Sequence, residues 1–344
     1  MRMALTVRTF LCAAAAIALA AGECAAQKVG TTSMQFLEVM PCARGTAMGD
    51  AYTVLAAGAE AAFWNPGGVA HIQSQEFSAT YTSWIFDAQQ GGFSFASPLG
   101  DGGAVAAQIQ YVDYGMFDEA SADPQYLGQG TYPGLTGRQF HAFAYVTGLT
   151  YSRQLTEKFS TGISAKYAYE SLFDQHTVTI VGDGGPEQVN TYAHGFLFDF
   201  GLRYNTGYRS IQLGASIQNF GASLKYATES SPAPLLFRVG MTGELMGADG
   251  LLVSDVEDNR VLLAADLFQP NDYTQQQHLG IEYEYAKVFA IRAGYKFNYD
   301  TQGFTAGIGL HQPLAGMNVT LDYSYGAISM FLGNVHRITL GAEL

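Results

Sequence analysis

Apolar and polar side chains alternate along many stretches of this sequence, and this period of two constrains the fold more than any other feature. In the stretch 289–299, one face carries Phe289, Ile291, Ala293, Tyr295, Phe297 and Tyr299. The other face carries Arg292, Gly294, Lys296 and Asn298. The stretches 196–204, 319–325 and 337–344 repeat the pattern. Alternation of this kind predicts β-strands with one apolar and one polar face.

The composition indicates what the apolar faces meet. Charged residues make up 14% of the chain, below the usual share of about a quarter, whereas aromatic residues reach 13% and there are 40 glycines. A soluble β-sandwich or propeller is the alternative, but such folds usually carry more surface charge. The formal net charge of −13 argues against nucleic acid as a partner. We therefore expect outer-membrane lipid to contact the apolar faces.

The strands can cross a bilayer only as a closed barrel. A membrane-spanning helix needs about 20 apolar residues, and no segment after the N-terminus offers them. Strands of about 9–11 residues can cross instead if a barrel satisfies every backbone group. The polar faces mix charges with Gly, Ser and Thr, as the lumen of a barrel would. The sequence therefore predicts an all-β fold, a transmembrane antiparallel β-barrel.

The predicted strands number fourteen, and even numbers are typical of single-chain bacterial barrels. They lie near residues 75–86, 89–98, 103–112, 138–151, 157–171, 192–205, 208–220, 234–246, 257–268, 276–286, 288–298, 302–312, 315–326 and 332–344. The links alternate between tight turns and longer segments, of which the longest are 113–137, 172–191 and 221–233. If both ends of the barrel face the periplasm, these long links are extracellular. The link 247–256 is an exception, since it is long but falls on the periplasmic side.

The first 26 residues predict a secretory signal peptide. Arg2 and Arg8 make the start of the chain basic. The apolar run from Phe10 to Ala21 is too short to span a membrane as a helix. Small residues precede a cleavage site after Ala26. We therefore expect an exported protein that begins close to residue 27.

Cysteine usage agrees with export but predicts no disulfide. Cleavage after residue 26 removes Cys12 and Cys24 and leaves Cys42 alone. No motif around Cys42 would activate its thiol as a nucleophile, so we expect a small buried side chain.

The segment between the signal peptide and the first strand does not alternate. Residues 34–70 are rich in small residues and glycine, and they contain Pro41. Such a segment is unsuited to a lipid-facing strand, so we predict that it fills the lumen as a plug, or hatch, within residues 27–74. The stretch WNPGGVA would end it: Trp64 packs as an anchor whose N–H needs a partner, and the following Asn, Pro and glycines reverse the chain into the barrel at residue 75.

The stretch FLEVMPCARGTAMGDAYTVLAAGAEAAFWNPGGVA resembles the N-terminal signature of the PorV/PorQ family of outer-membrane proteins. The closing GNVHRITLGAEL and the internal QNFG are also similar to that family. The resemblance implies a barrel like that of the fatty-acid transporter FadL, with an N-terminal hatch, in the outer membrane of a Gram-negative bacterium. Pro41-Cys42 and Gly68 depart from the usual pattern; they leave the fold expectation intact and the subfamily open.

The resemblance implies two possible functions. Some family members act in type IX secretion, where they bind the C-terminal signal of exported cargo and pass it from the translocon to the attachment machinery. We expect a component or cargo-binding shuttle of this type, with the translocon and cargo signals as partners. The alternative is passive transport of hydrophobic small molecules, as in FadL, with a bulge in the wall near Gly91-Gly92 or Gly307 and Gly309.

Two sets of residues are candidates for a functional site. The predicted hatch anchors are Arg44, Gly49, Trp64, Asn65, Pro66 and Gly67. The predicted lumenal polar residues are Asp199, Arg203, Glu282, Glu284, Arg292, Lys296, Asp322 and Arg337. Because this second set holds both signs of charge, its members can pair across strands or grip the hatch. A path for ions is the alternative use of these charges.

Catalysis, cofactors and metals receive no support from the sequence. The histidines are scattered and follow no recognisable Ser/His/Asp order. The DGG turns and the stretch DVEDN lack the spacing of a calcium loop. We therefore expect a protein that is not an enzyme and that holds no cofactor or metal.

The orientation can be tested with single cysteines in otherwise cysteine-free mature protein. Gly128→Cys, in a long link, should react with a membrane-impermeant maleimide added to intact cells. Gly100→Cys, in a tight link, should react only after the outer membrane is opened. Labelling of Gly100→Cys alone in intact cells would show that the barrel is inserted the other way.

Overall fold

The computed structural model describes residues 30–123, 125–126, 133–182, 185–314, 316–329 and 332–344. The predicted signal peptide and the labelling position Gly128 lie outside these residues. Within them, the chain forms one closed sheet, two small hairpins in its loops and a non-strand segment, residues 30–75, that precedes the first strand. We call residues 30–75 the N-terminal segment.

Fourteen antiparallel strands form the closed barrel, which confirms the predicted fold class. They are β1 (Glu76–Ser83), β2 (Gln89–Pro98), β3 (Ala104–Ser121), β4 (Gly134–Thr156), β5 (Phe159–Ser171), β8 (Tyr192–Asn205), β9 (Gln212–Gly221), β12 (Leu236–Met246), β13 (Asn259–Pro270), β14 (Gln276–Tyr285), β15 (Phe289–Phe297), β16 (Phe304–Leu314), β17 (Met317–Ser329) and β18 (Gly333–Glu343). Each strand pairs with the next barrel strand along the chain, and β1 pairs with β18 to close the sheet.

The apolar side chains of the alternating stretches face outward, toward lipid, and the polar side chains face the lumen. On β15 and β17, Ile291 and Leu321 are exposed on the outer surface, whereas Arg292 and Asp322 are buried inside. In a sheet with period two, one apolar and one polar face arise from the same strand. The polar side chains are buried and the apolar side chains are exposed, as expected for a barrel whose outer surface is surrounded by lipid.

The long links contain more strand than the sequence indicated. β3 and β4 continue beyond the wall as a two-stranded ribbon that pairs as far as Ser121 with Gly134. Two further hairpins occupy the other long links, β6 (Thr177–Gly182) with β7 (Gly185–Asn190) and β10 (Leu224–Tyr226) with β11 (Glu229–Ser231). The long link after β12, predicted at 247–256, lies at the same end as the tight turns. Its exceptional length therefore does not reflect a missed strand, and the predicted number of strands was right.

The expectation of bulges at wall glycines was wrong. Gly91, Gly92, Gly307 and Gly309 keep regular pairing with their neighbours. A Cβ on Gly92 would lie 2.5 Å from the Cβ of Pro41, and one on Gly307 would lie 2.5 Å from the Cβ of Ala47. Gly92 and Gly307 therefore make room for the N-terminal segment. Register shifts lie elsewhere in the sheet, for example between β8 and β9, where Asp199 faces an extra residue.

The N-terminal segment lies inside the barrel and consists of short turns. Its helices are α1 (Ala43–Ala47) and α2 (Ala61–Trp64), and its 3₁₀ turns are Gln35–Glu38, Gly58–Glu60 and Pro66–His71. Two more 3₁₀ turns, Ile85–Asp87 and Gly100–Gly102, lie in loops. No helix in the described part of the chain is long and apolar enough to cross a membrane.

Arginine substitutions can verify the two faces of β17. Leu321 lies on the outer face between Leu310 and Leu340 of the neighbouring strands, so Leu321→Arg should cost about 2–4 kcal/mol of folding free energy, as for charges near the bilayer midplane. Thr320→Arg should cost less, because residue 320 faces the lumen. Urea unfolding in lipid vesicles measures both; equal losses would contradict the assigned faces.

Candidate functional site in the barrel lumen

The helix α1 is held together by the residue that precedes it. Cys42 has extended backbone angles, and its Sγ accepts a hydrogen bond from the Gly45 N–H at 3.3 Å. Thr46 Oγ1 donates to the Cys42 carbonyl at 2.8 Å. The buried Cys42 thiol donates to Glu60 Oε2 at 3.0 Å, and Tyr52 Oη donates to the same oxygen at 3.0 Å. Burial raises the pKa of the Glu60 carboxyl, although these two donors act to lower it.

After α1 the segment touches the backbone of the wall, and only glycine fits there. Gly49 has a φ of 65°, and a Cβ on it would lie 2.8 Å from the Tyr295 nitrogen. The wall residue opposite is Gly294, where a Cβ would lie 2.1 Å from the Gly49 nitrogen. Two glycines therefore let the segment and the wall approach to backbone contact.

The stretch after Trp64 makes a second close contact with the wall. Asn65 Oδ1 accepts from the Gly67 N–H at 3.1 Å, and Asn65 Nδ2 donates to the carbonyls of Thr53 at 2.8 Å and Leu202 at 3.0 Å. Pro66 and Gly67 lie against glycines of β5 and β8, since a Cβ on Gly162 would be 2.4 Å from the Pro66 oxygen and one on Gly67 would be 2.9 Å from the Leu202 Cα.

Trp64 is fully buried at the centre of the segment's main apolar cluster. Its ring meets Tyr52 edge-on, with centroids 5.3 Å apart, and the Arg238 guanidinium lies 5.2 Å from its ring centroid. Contrary to expectation, the Trp64 Nε1 has no hydrogen-bond partner among the described residues. Arg238 also lies 4.0 Å from the Phe268 ring centroid, so its charge is stabilised by two aromatic rings.

One buried carboxylate that sequence reasoning missed orients the backbone before Trp64. Asp266 of β13 accepts from the N–H groups of Tyr52 at 3.0 Å and Thr53 at 2.9 Å. Two glutamines of the wall add bonds to carbonyls of the segment: Gln218 Nε2 donates to Phe63 at 2.6 Å and Gln90 Nε2 to Val39 at 2.8 Å. The stretch VLLAADLF around Asp266 is apolar on both faces, so no local signal pointed to the lumenal position of this carboxylate or to its partners.

Lumenal charges link α1 to the strands β13, β14, β15 and β17. Arg44 makes two bonds to Glu282, at 2.9 Å from Nε and 2.8 Å from Nη2. Glu282 also accepts from Arg292 Nε at 2.6 Å and from Arg260 Nη2 at 2.9 Å. Arg292 in turn pairs with Asp322. Positive and negative side chains alternate along this series of ion pairs, so each buried charge has an opposite neighbour.

The remaining predicted lumenal residues lie in separate groups. Glu284 pairs with Arg260 at 3.1 Å, and Arg203 donates to Gln212 Oε1 at 2.9 Å. At the bulge between β8 and β9, Asp199 accepts from Lys166 at 2.8 Å and from the Asn219 N–H at 2.8 Å. Lys296 pairs with Asp50 of the segment. Arg337 has no ion-pair partner among the residues that the structure describes.

A cavity of about 510 Å³ lies above Asp50 toward the end with the long links. Its wall belongs to β12–β18, and its other side is the N-terminal segment. Charged residues from both line it, namely Glu38, Asp50, Arg238, Asp272, Lys296, Asp300 and Arg337. Burial and the nearby Asp272 raise the pKa of Glu38 to about 7, although Arg238 acts to lower it.

The opposite side of the lumen, at the same end, is apolar. Met34, Phe36 and Leu37 of the segment pack against inward side chains of β3, β4, β5 and β8. The hairpin β10–β11 adds Leu224 to this cluster. It is fastened there because Glu170 accepts from Tyr226 Oη and, at 2.7 Å, from Tyr114 Oη. The upper lumen thus has one polar and one apolar half.

Comparison with solved structures identifies the same fold in transporters. The toluene transporter TbuX of Ralstonia pickettii aligns with a TM-score of 0.51 and 13% identity over 87% of this chain and 95% of that chain. The toluene transporter TodX of Pseudomonas putida aligns with a TM-score of 0.52 and 15% identity over 87% and 95%. No family model and no curated protein matches the sequence. With its apolar outer face, the barrel belongs in the outer membrane of a Gram-negative bacterium.

A methyl group at Gly294 should disturb the site without touching the outer face. Gly294→Ala places a Cβ against the Gly49 nitrogen, and such overpacking typically costs about 1–3 kcal/mol. The matched control is Gly91→Ala, since a Cβ there meets nothing within 4 Å. The urea midpoint of the purified barrel should fall for Gly294→Ala and stay near wild type for Gly91→Ala. Equal midpoints would mean that the close contact at Gly49 is dispensable.

Proposed function

We propose that this protein is a passive transporter of small hydrophobic molecules across the outer membrane, with the N-terminal segment as its hatch. The observation that carries the proposal is a closed barrel whose upper lumen is apolar on one side, beneath the extracellular loops. The likeness in fold to two toluene transporters supports this use of the barrel. It favours the FadL-like alternative over the predicted role in type IX secretion.

The apolar half of the lumen offers the route for such molecules. Phe36 and Leu37 face the wall residues Val112, Ala144 and Val146, which would become a hydrophobic surface if the start of the segment moved aside. A solute leaving water gains about 25 cal/mol for each Å² of apolar surface that it buries. Leu224 covers this region from the loop side, so access requires movement of the hairpin as well as of the segment.

The segment suits a hatch because the wall does not depend on it for backbone bonds. The strands complete their ladder with one another, whereas the segment is attached by side chains such as Arg44 and Asp266 and by packing of Trp64. Loss of these contacts would release the segment and leave the barrel closed. Most charges of the lumen have structural partners, which favours anchoring over catalysis.

A secretion role remains the second candidate, and the ribbon formed by β3 and β4 is the feature that favours it. This ribbon extends past the wall to Ser121 and Gly134, where a protein partner could bind. Purification from the native outer membrane separates the two functions. Copurified translocon proteins or cargo would favour secretion, and an isolated barrel with bound lipid would favour transport.

Transport itself can be measured as uptake of labelled toluene by intact cells. Cells that express the protein should take up toluene faster than cells without it, and faster than cells in which Leu224→Asp and Phe36→Asp make the apolar half polar. Arg153→Gln, at the exposed periplasmic end of β4, serves as the control variant. Equal uptake by expressing and non-expressing cells would contradict the proposed transport.

Removal of the Trp64 ring tests the hatch. Trp64→Ala should lose about 3–5 kcal/mol of packing, and because the wall keeps its own ladder the loss should loosen the segment. We expect small or no conductance of the wild type in planar bilayers and larger, noisy conductance of the variant, with the folded band retained on a heat-modifiability gel. Phe196→Ala, which removes an exposed ring on the outer face of β8, is the control and should keep the wild-type conductance.

Two results would count against this role of Trp64. Unchanged conductance of Trp64→Ala would mean that the ring does not hold the segment in the lumen. Loss of the folded band would mean that the segment is part of the folding core of the barrel, so it could not act as a separate hatch.

A further inference from the structure

The cavity on the polar side of the lumen holds two opposite charges that the protein leaves without partners. Within the described residues, neither the Glu38 carboxylate nor the Arg337 guanidinium makes a hydrogen bond or an ion pair, and Glu38 Oε1 and Arg337 Nε are both shielded from solvent. Each side chain is half-buried and lines the same cavity. They do not pair with each other.

The other charges around the cavity have ionic, hydrogen-bonding or aromatic partners. Lys296 pairs with Asp50, and Asp272 accepts from Thr32 at 2.6 Å. The Arg238 guanidinium lies over two aromatic rings, as described above, although its Nε and Nη1 make no hydrogen bond to the described residues. The charges without an ionic, hydrogen-bonding or aromatic partner are therefore one acid and one base, Glu38 from the N-terminal segment and Arg337 from β18.

This arrangement favours one kind of ligand. A half-buried charge without a partner loses part of its hydration, and a charge-assisted hydrogen bond from a ligand would restore it. A hydrocarbon would leave both groups unsatisfied. A simple carboxylate would satisfy Arg337 but would add a negative charge near Glu38. A simple amine would satisfy Glu38 but would add a positive charge near Arg337. A zwitterion satisfies both.

Size and lining limit the ligand further. A volume of about 510 Å³ falls within the range of about 300–1,000 Å³ for sites that bind small molecules. Phe268, Trp84 and Ile85 add apolar surface to the same cavity. An apolar or aromatic side chain next to the two charged groups would use this surface.

We propose that the cavity between the N-terminal segment and β12–β18 binds an α-amino acid, with the ligand carboxylate on Arg337 and its ammonium group on Glu38. This site lies on the opposite side of the lumen from the apolar cluster. It therefore goes beyond the proposed transport of hydrophobic molecules and does not depend on it.

The proposal is tested by calorimetry on the purified barrel in detergent, with three ligands that each contain a phenyl ring. Phenylalanine carries both charges, 3-phenylpropionate lacks the ammonium group, and 2-phenylethylamine lacks the carboxylate. The assay is done at pH 8, because the pKa of Glu38 is raised to about 7 and the carboxylate is then ionised. Phenylalanine should bind at least about tenfold more tightly than either analogue, which corresponds to about 1.4 kcal/mol.

Two substitutions assign the charges, each with a matched control. Arg337→Gln should abolish the preference for phenylalanine over phenylethylamine, and Glu38→Gln should abolish the preference over phenylpropionate. Arg153→Gln and Glu157→Gln neutralise exposed charges at the periplasmic end and should bind like wild type. Heat-modifiable mobility verifies that each variant is folded.

Several outcomes would overturn the proposal. Equal binding of all three ligands, or no binding of phenylalanine at millimolar concentration, would show that the two charges do not select a zwitterion. Unchanged selectivity in folded Arg337→Gln and Glu38→Gln would place any binding elsewhere. Toluene uptake by cells carrying the two variants should equal that of wild type, so a failure of this site and a failure of hydrophobic transport give different results.

Discussion

The pairing of the first and last strands is the interaction on which the rest of this structure depends. β1 and β18 pair at eight positions, from Glu76 with Glu343 to Ser83 with His336. In lipid an open sheet would expose two rows of unsatisfied backbone groups, and each unsatisfied group would cost several kcal/mol. Closure removes both edges and separates an apolar exterior from an enclosed lumen. Only in such a lumen can charges like Glu282 and Arg292 lie at membrane depth.

The enclosed lumen then determines how the N-terminal segment is bound. Wall glycines, among them Gly201 and Gly294, leave room for its backbone, and wall carboxylates and glutamines satisfy its N–H groups and carbonyls. Glu282 contacts three arginines, one of which, Arg44, comes from the segment. Removal of one partner from a buried charge pair is costly because it leaves the other charge uncompensated. The segment and the wall thus satisfy each other's polar groups.

Much of the architecture could be predicted from the sequence because strand alternation is a local signal. The alternation gave the strands and the faces of residues such as Ile291 and Asp322, and the lengths of the links gave the arrangement of loops. The partners of the lumenal side chains could not be predicted in this way. Asp266 binds the backbone of Tyr52, and Arg238 stacks on Trp64, through contacts between positions that are far apart in sequence. The PorV/PorQ resemblance and the secretion role remain predictions, since no family model matches.

The position of α1 has a consequence for assembly. Its contacts span most of the chain: Thr46 bonds to Ser324, 278 residues away, and the Ala43 N–H bonds to Thr339, 296 residues away. A helix of five residues has no stability of its own in water, so α1 can form only when the last strands are present. Contacts of such long range also slow folding, because loop-closure entropy is lost before they form. The part of the described chain that is synthesised first is therefore among the last to become ordered, and it is enclosed as the final strand joins the first.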